Sequence, residues 1–346
     1  MAYTTIDDPS AHFKVQLYTG NGAANHAITF DDTDTDMQPD LVWIKNRDAT
    51  DSHCVFDAVR GATYLIHSDT TATSAADADT LDSFTSDGFQ VDADVKVNTN
   101  TEKYVSWNWK ANGTGSSNTD GSINTAATSA NTTAGFSINT YTGTGSNATV
   151  GHGLGVKPAF IAIKNIASTQ DWLCYHEVIT ANKHIKFNQT EAAGTDATGR
   201  FNGTEPTTAV FTVGTDSQTN GSEAMIAYAF TSVTGFSQFG AYEGNGKIDG
   251  TFVYTGFRPA LIMTKAVDST SAWHMYDDQR EGYNPDNDAL ITNDTTVEAT
   301  TDMIDILSNG FKFRIATDPN VAETHIYLAW AKAPFVNSNG VPCNAR

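Results

Sequence analysis

Pro39-Asp40-Leu41-Val42-Trp43-Ile44-Lys45, Pro158-Ala159-Phe160-Ile161-Ala162-Ile163-Lys164 and Pro259-Ala260-Leu261-Ile262-Met263-Thr264-Lys265 share one frame: a proline, five mainly apolar residues and a lysine. The frame continues without a gap. Seventeen residues after each proline stands an aromatic, Phe56, Tyr175 or Tyr276, and eight residues after each lysine stands His53, Trp172 or Trp273. A recurrence of roughly 100 to 120 residues is too long for a solenoid repeat and suits a small domain. The chain reads as three copies of one module, and a repeated module serves building and binding more often than catalysis.

Within each block both sets of alternate residues are apolar: Leu41 and Trp43 against Val42 and Ile44, Phe160 and Ala162 against Ile161 and Ile163. Such a strand is covered on both faces, at the centre of a packed sandwich or at a module interface. The leading proline lacks an N–H, which a strand's first residue tolerates. Each copy opens alike, with Phe13 leading to Tyr18-Thr19-Gly20-Asn21-Gly22, Phe136 to Tyr141-Thr142-Gly143-Thr144-Gly145 and Phe236 to Tyr242-Glu243-Gly244-Asn245-Gly246. These are strands entering turns; the phosphate-binding Gly-x-Gly-x-x-Gly pattern is absent. Asp87-Gly88 and Asn309-Gly310 are hairpin signals in the first and third copies, where the second has Ala209-Val210-Phe211-Thr212-Val213-Gly214. Each copy closes on an apolar strand, around Trp107, Tyr228 and Leu328. No convincing helix exceeds a turn or two. The pattern predicts an all-β protein of three tandem β-sandwich modules, each closing its own apolar interior.

The expected boundaries are an N-terminal arm (1–12), module 1 (13–111), a flexible linker (112–133), module 2 (134–233), module 3 (235–336) and a C-terminal arm (337–346). The linker assignment rests on Asn112 to Gly121, which carry no apolar anchor. Arms of this kind dock on neighbouring chains.

Forty acidic residues against 20 basic ones give a net charge of −20, a field that repels nucleic acid and anionic lipid. No stretch of 18 apolar residues is present to span a membrane, and the N-terminus has no basic, apolar signal-peptide character. Cys54, Cys174 and Cys343 match no zinc or redox spacing; Cys54 and Cys174, near equivalent points of two modules, read as small apolar filler, and the protein is expected to fold in a reducing cytoplasm.

The openings, the Pro-to-Lys blocks, Asn309-Gly310-Phe311-Lys312, the closing Ala333-Pro334-Phe335-Val336-Asn337-Ser338-Asn339-Gly340-Val341-Pro342 and the start Met1-Ala2-Tyr3-Thr4-Thr5-Ile6-Asp7-Asp8-Pro9-Ser10 together resemble repeat-bearing virion structural proteins of marine tailed bacteriophages, of the cyanophage and pelagiphage type. The resemblance implies concanavalin- or SPRY-like jelly-roll modules and no catalytic residues. It implies a tail-fibre or spike component contributing to host attachment by weak, repeated contacts to a surface glycan. The alternatives are a capsid decoration or head-fibre protein whose arms clamp neighbouring subunits and, more distantly, a polysaccharide-degrading tailspike. The implied partners are other virion proteins and further copies of the chain, and the implied location is the virion.

Candidate chemistry is sparse. No zinc-binding His-Glu-x-x-His and no Gly-x-Ser-x-Gly elbow occurs. Asp32, Asp34 and Asp36 resemble the start of a calcium loop, but Met37 and Trp43 stand where an EF-hand needs Gly and Glu, leaving a looser surface calcium site as the only cofactor expectation. Asp57 with Arg60 and Asp277 with Arg280 recur at one offset, as loop-pinning ion pairs or as a polar cluster contacting sugar; module 2 has His176 and Ile179 there. Trp172 and Trp273 follow polar loops and are the aromatics expected to reach solvent, whereas Trp43, Trp107 and Trp330 sit in core-like strands.

Overall fold

The computed structural model describes residues 3–30, 35–196, 199–280, 283, 284 and 288–343. Module 1 contains β1 (Phe13–Thr19), β2 (His26–Thr29), β3 (Leu41–Asn46), β4 (Cys54–Asp57), β5 (Gly61–Ile66), β6 (Ala75–Ala76), β7 (Leu81–Thr85), β8 (Gly88–Val91) and β9 (Lys103–Trp109). Module 2 contains β10 (Ala127–Asn131), β11 (Phe136–Thr142), β12 (Ala148–Gly151), β13 (Phe160–Asn165), β14 (Leu173–His176), β15 (Lys183–Lys186), β16 (Gly194–Thr195), β17 (Val210–Val213) and β18 (Ala224–Phe230). Module 3 contains β19 (Ser237–Glu243), β20 (Phe252–Tyr254), β21 (Phe257–Ala266), β22 (His274–Asp277), β23 (Leu290–Ile291), β24 (Ile304–Leu307), β25 (Gly310–Phe313) and β26 (Thr324–Pro334).

The three main sheets repeat one order: β1-β9-β3-β4-β5, β11-β18-β13-β14-β15 and β19-β26-β21-β22-β23. Register repeats with it, since Leu41, Phe160 and Leu261 stand opposite Trp109, Phe230 and Trp330. A small sheet packs outside each main one: β2-β8-β7, β12-β17 and β20-β25-β24. The two hairpins predicted at Asp87-Gly88 and Asn309-Gly310 form, and among the described residues of module 2 the corresponding sheet holds only β12 and β17.

The glycine turns are held by a residue far away in sequence. Buried Asn98, Asn220 and Asn320 each accept from the amide between the two glycines, Asn21 at 2.9 Å, Thr144 at 2.8 Å and Asn245 at 3.2 Å. Each side-chain amide also donates to a carbonyl further round the turn, of Ala23, Ser146 or Lys247. A Cβ on Gly143 would lie 1.8 Å from the Gly221 carbonyl oxygen, so close approach excludes a side chain there. The second glycine supplies positive φ, for example +66° at Gly145.

β3 and β13 are buried along their whole length, and β21 everywhere but at Arg258. The outer face of the central strand, Val42 and Ile44 or Ile161 and Ile163, packs into the module's own sandwich. Its inner face, Leu41 and Trp43, Phe160 and Ala162, or Leu261 and Met263, points into one cluster built by all three modules. The expectation of three self-contained interiors is therefore corrected. Modules 1 and 2 have interiors of their own, that of module 3 is continuous with the shared core, and that core has no counterpart in a lone sandwich.

The modules close into a ring of equivalent junctions. Trp172 Nε1 of module 2 donates to the His67 carbonyl of module 1 at 2.8 Å, and Trp273 Nε1 of module 3 donates to the Lys186 carbonyl of module 2 at 3.0 Å. His53 Nε2 of module 1 donates to the Ile291 carbonyl of module 3 at 3.0 Å; the proton sits on Nε2 because Nδ1 accepts from Trp43 Nε1. The three acceptors occupy one register position at the end of the fifth main-sheet strand: Lys186 and Ile291 are the last residues of β15 and β23, and His67 directly follows β5. A backbone rung repeats alongside: Ser74 N–H to Ile166 O, Ala193 N–H to Val267 O, and Glu298 N–H to Arg47 O. Head-to-tail contacts of this kind generate a closed ring when the rotation closes. Here the ring lies within one chain and is pseudo-threefold.

The linker and arm expectations are also corrected. Ile123, just beyond the residues that suggested a flexible linker, is buried in the interior of module 2 and bridges to Val150. Residues 127–131 form β10 on the edge of β11. The N-terminal arm docks on its own chain, with Ile6 in the shared core. Asp7 accepts from the Ser338 amide at 2.7 Å and from its hydroxyl, tying the two arms together. Asn220→Ala, which strips a buried turn of its organising amide, is expected to lower stability by about 2 to 3 kcal/mol in chemical denaturation.

Candidate functional site

The aromatics expected at the surface are inside: Trp172 is 2% exposed and Trp273 0%. They immediately precede β14 and β22, whose faces meet the neighbouring module, and their indole N–H groups make the ring junctions. The preceding loops are polar, but the module next door covers the rings.

Asp57–Arg60 and Asp277–Arg280 are ion pairs, at 2.6 and 2.7 Å, buried at two junctions rather than open to a sugar. Asp57 Oδ2 also accepts from Tyr228 of module 2 at 2.8 Å, and Asp277 Oδ2 from Trp107 Nε1 of module 1 at 3.1 Å. Tyr228 and Trp107 share one register position, which Leu328 fills in module 3. Where module 2 carries His176 instead of the aspartate, the next module thus carries no donor. Acceptor and donor are lost together at that junction, and Ile179, in place of the arginine, joins the apolar core.

Of the calcium candidates, Asp32 and Asp34 lie outside the described residues and Asp36 is exposed. Among the described residues no group of three metal-ligating side chains gathers.

The lysines ending the three blocks are fully buried and answered by carbonyls. Lys164 donates to Asn165 O, Gln170 O and, across the junction, Thr71 O; Lys265 donates to Ala266 O and Thr190 O. Lys45 donates to Asn46 O and Ala49 O. Burial pushes the pKa of Lys164 and Lys265 down to about 8 and lowers that of Lys45. An unfolded lysine keeps its proton to about 10.4, so between the two values the unfolded chain binds more protons and stability rises with pH. Relative to Lys265→Met, the natural protein should gain on the order of 2 kcal/mol between pH 8 and pH 10 in parallel denaturation curves. At the ion-paired junctions, Asp57→Ala should cost about 3 to 5 kcal/mol, because it strands a buried arginine. Tyr228→Phe should cost only about 1 to 2 kcal/mol on the same assay.

An open groove of about 690 Å³ lies at the junction of modules 2 and 3. Its lining includes Tyr3, Glu177, Ser237, Gln238, Tyr254 and Phe335. Tyr254 is 58% exposed, and Phe252, two residues back on the same face of β20, is 45% exposed, with Val253 turned inward between them. Val253, Ile28 and Val150 are register equivalents, each opposite the phenylalanine Phe311, Phe89 or Phe211. The positions of Phe252 and Tyr254 are therefore Ala27 and Thr29 in module 1 and Thr149 and Gly151 in module 2. The fold does not need aromatics there. Sequence reasoning passed over both residues; reading Ala27-Ile28-Thr29, Thr149-Val150-Gly151 and Phe252-Val253-Tyr254 in the repeat frame exposes the difference. Exposed rings beside an amide, hydroxyls and a carboxylate can stack on and hydrogen-bond a neutral polyhydroxyl ligand.

These features define an all-β protein of three sandwich-type units closed into a ring. The chain belongs to the family described as Domain of unknown function (DUF7483), whose match over residues 8–334 takes in all three units as one domain. No curated protein and no solved structure matches it.

Proposed function

We propose that this protein is a non-catalytic virion component of a tailed bacteriophage, exposed on the particle as part of a tail fibre or spike, and that module 3 touches host-surface glycan. The virion assignment rests on the sequence resemblance. The contact assignment rests on one observation: outward aromatics stand at Phe252 and Tyr254, where the other two modules carry small residues, and Tyr254 borders the open groove between modules 2 and 3. Because the aromatic pair occurs once per chain, repeated weak contact must come from many copies of the chain on one particle. The shell-clamp alternative loses its motive, since the described parts of both arms close on their own chain.

The test is binding of the full chain to surface polysaccharide from a host strain, measured by biolayer interferometry. Phe252→Thr with Tyr254→Ser is expected to reduce binding at least tenfold with the melting temperature unchanged. Equal binding by the double variant, or no binding by the natural protein at millimolar sugar, would remove the glycan reading.

A further inference from the structure

The pseudo-threefold ring repeats one local situation three times and resolves it in three ways. In each module the first main-sheet strand, β1, β11 or β19, has a partner on one side only among the main-sheet strands. Backbone bonds fix which residues point inward: Lys110 N–H to His12 O, Thr231 N–H to Gly135 O, and Ala331 N–H to Phe236 O. Alternation then turns the backbone N–H and C=O groups of Phe13, Val15 and Leu17, or Phe136, Ile138 and Thr140, or Ser237 and Phe239, toward the free edge of the sheet, while side chains such as Phe13, Ile138 and Phe239 stay in the core.

In module 2 that edge is covered by the chain itself. β10 lies antiparallel on β11, with Ala127, Ser129 and Asn131 opposite Thr140, Ile138 and Phe136. In module 3 the edge is capped locally: Ser237 exchanges backbone bonds with Val233, and the Phe239 amide donates to Ser232 Oγ. In module 1 no strand among the described residues pairs with the outer side of β1, and an open groove of about 510 Å³ runs beside it, lined by Phe13, Lys14, Val15, Asp8, Asp278 and Lys332 among others. An unprotected edge is a template for an added strand.

A second difference follows the first. Asp278, Glu177 and Ala58 are equivalents, each following the residue that stands opposite the start of a central strand. Alanine occurs at the junction that β10 covers, and a carboxylate at the two junctions where a groove stays open. Asp7, Asp8 and Asp278 line the groove beside β1 against Lys14 and Lys332, and Lys14 is turned to the Thr35 carbonyl at 2.7 Å. With a net charge of −20, a second copy of this chain is electrostatically disfavoured there.

We infer that the β1 edge is a docking site for an extended, basic segment of another polypeptide, which adds as an antiparallel strand to β1 as β10 adds to β11, with a cationic side chain set against Asp278. Main-chain bonds to Val15 and Leu17 would supply affinity, and the acidic groove would supply selectivity.

The probe is a fluorescent peptide of sequence Thr125–Thr133, the chain's own edge strand, alongside a version carrying Ala127→Lys and Ala130→Lys. Both are titrated into the full-length protein by anisotropy, with amide exchange followed by NMR. The basic peptide is expected to bind at least fivefold tighter than the natural one. It should slow exchange at Val15 and Leu17 at least fivefold and leave Ile138 unchanged. Asp278→Asn should erase the preference between the peptides. Val15→Pro, a substitution that an edge strand tolerates, should abolish binding with the melting curve retained. Saturation without protection at Val15 and Leu17, or equal affinity of both peptides for the natural protein, would overturn the inference. Protection that grows with protein concentration in the absence of peptide would overturn it as well, by assigning the edge to a second copy.

Discussion

A sheet that is apolar on both faces needs two covers, and one small outer sheet provides only one. The central strands of this chain impose that constraint three times over. Val42 and Ile44 are satisfied by module 1's own outer sheet, but Leu41 and Trp43 are satisfied only when the other two modules bring Phe160 and Ala162, and Leu261 and Met263, to the same place. At about 25 cal/mol per Å² of apolar surface removed from water, leaving a face with two tryptophans, Trp43 and Trp107, in solvent would be a heavy loss for a unit of about a hundred residues. The ring is thus a condition of each module's folding, which makes isolated modules poor reagents for any binding assay.

The polar contacts act as a register for that apolar closure. An indole or imidazole N–H meeting a carbonyl at the same position of the preceding module fixes rotation as well as distance. The buried lysines do similar work, satisfying carbonyls that would otherwise be enclosed without donors. The junction between modules 2 and 3 shows that the buried aspartate–arginine pair is optional: His176, Ile179 and Leu328 replace all three partners, and the ring still closes. A buried ion pair is costly when half of it is lost and dispensable when the whole set is exchanged, and these three junctions contain both versions.

Much of the fold was legible in the sequence because the repeat frame ties strand, turn and aromatic positions together. The paired apolar faces of the Pro-to-Lys blocks correctly signalled cover on both sides. What one chain read in order could not show was which residues lie across a junction. Trp172 and Trp273 follow polar loops and would face water in a lone module; only the neighbour's backbone makes them interior. Ile123 was too isolated to mark a docked segment, yet together with the Ser116–Thr128 bridge, the Asn112 and Asn118 amides held by Ser129 and Thr125 hydroxyls, and the pairing of β10, it fastens the stretch from Asn112 onward. The outward aromatics of β20 were hidden for a different reason: a three-residue strand gives almost no periodic signal, and its meaning appears only beside the matching strands of its siblings.

Joining three copies in one polypeptide frees each from the others. In an assembly of identical subunits, any new side chain appears on every face at once, and a sticky edge would be repeated until it cross-linked particles into aggregates. Here Tyr254 is present once, β10 shields one edge alone, and β1 can differ from both of its siblings. Covalent linkage makes the pseudo-symmetric scaffold one where a single face can differ while the remaining two are held to their architectural task.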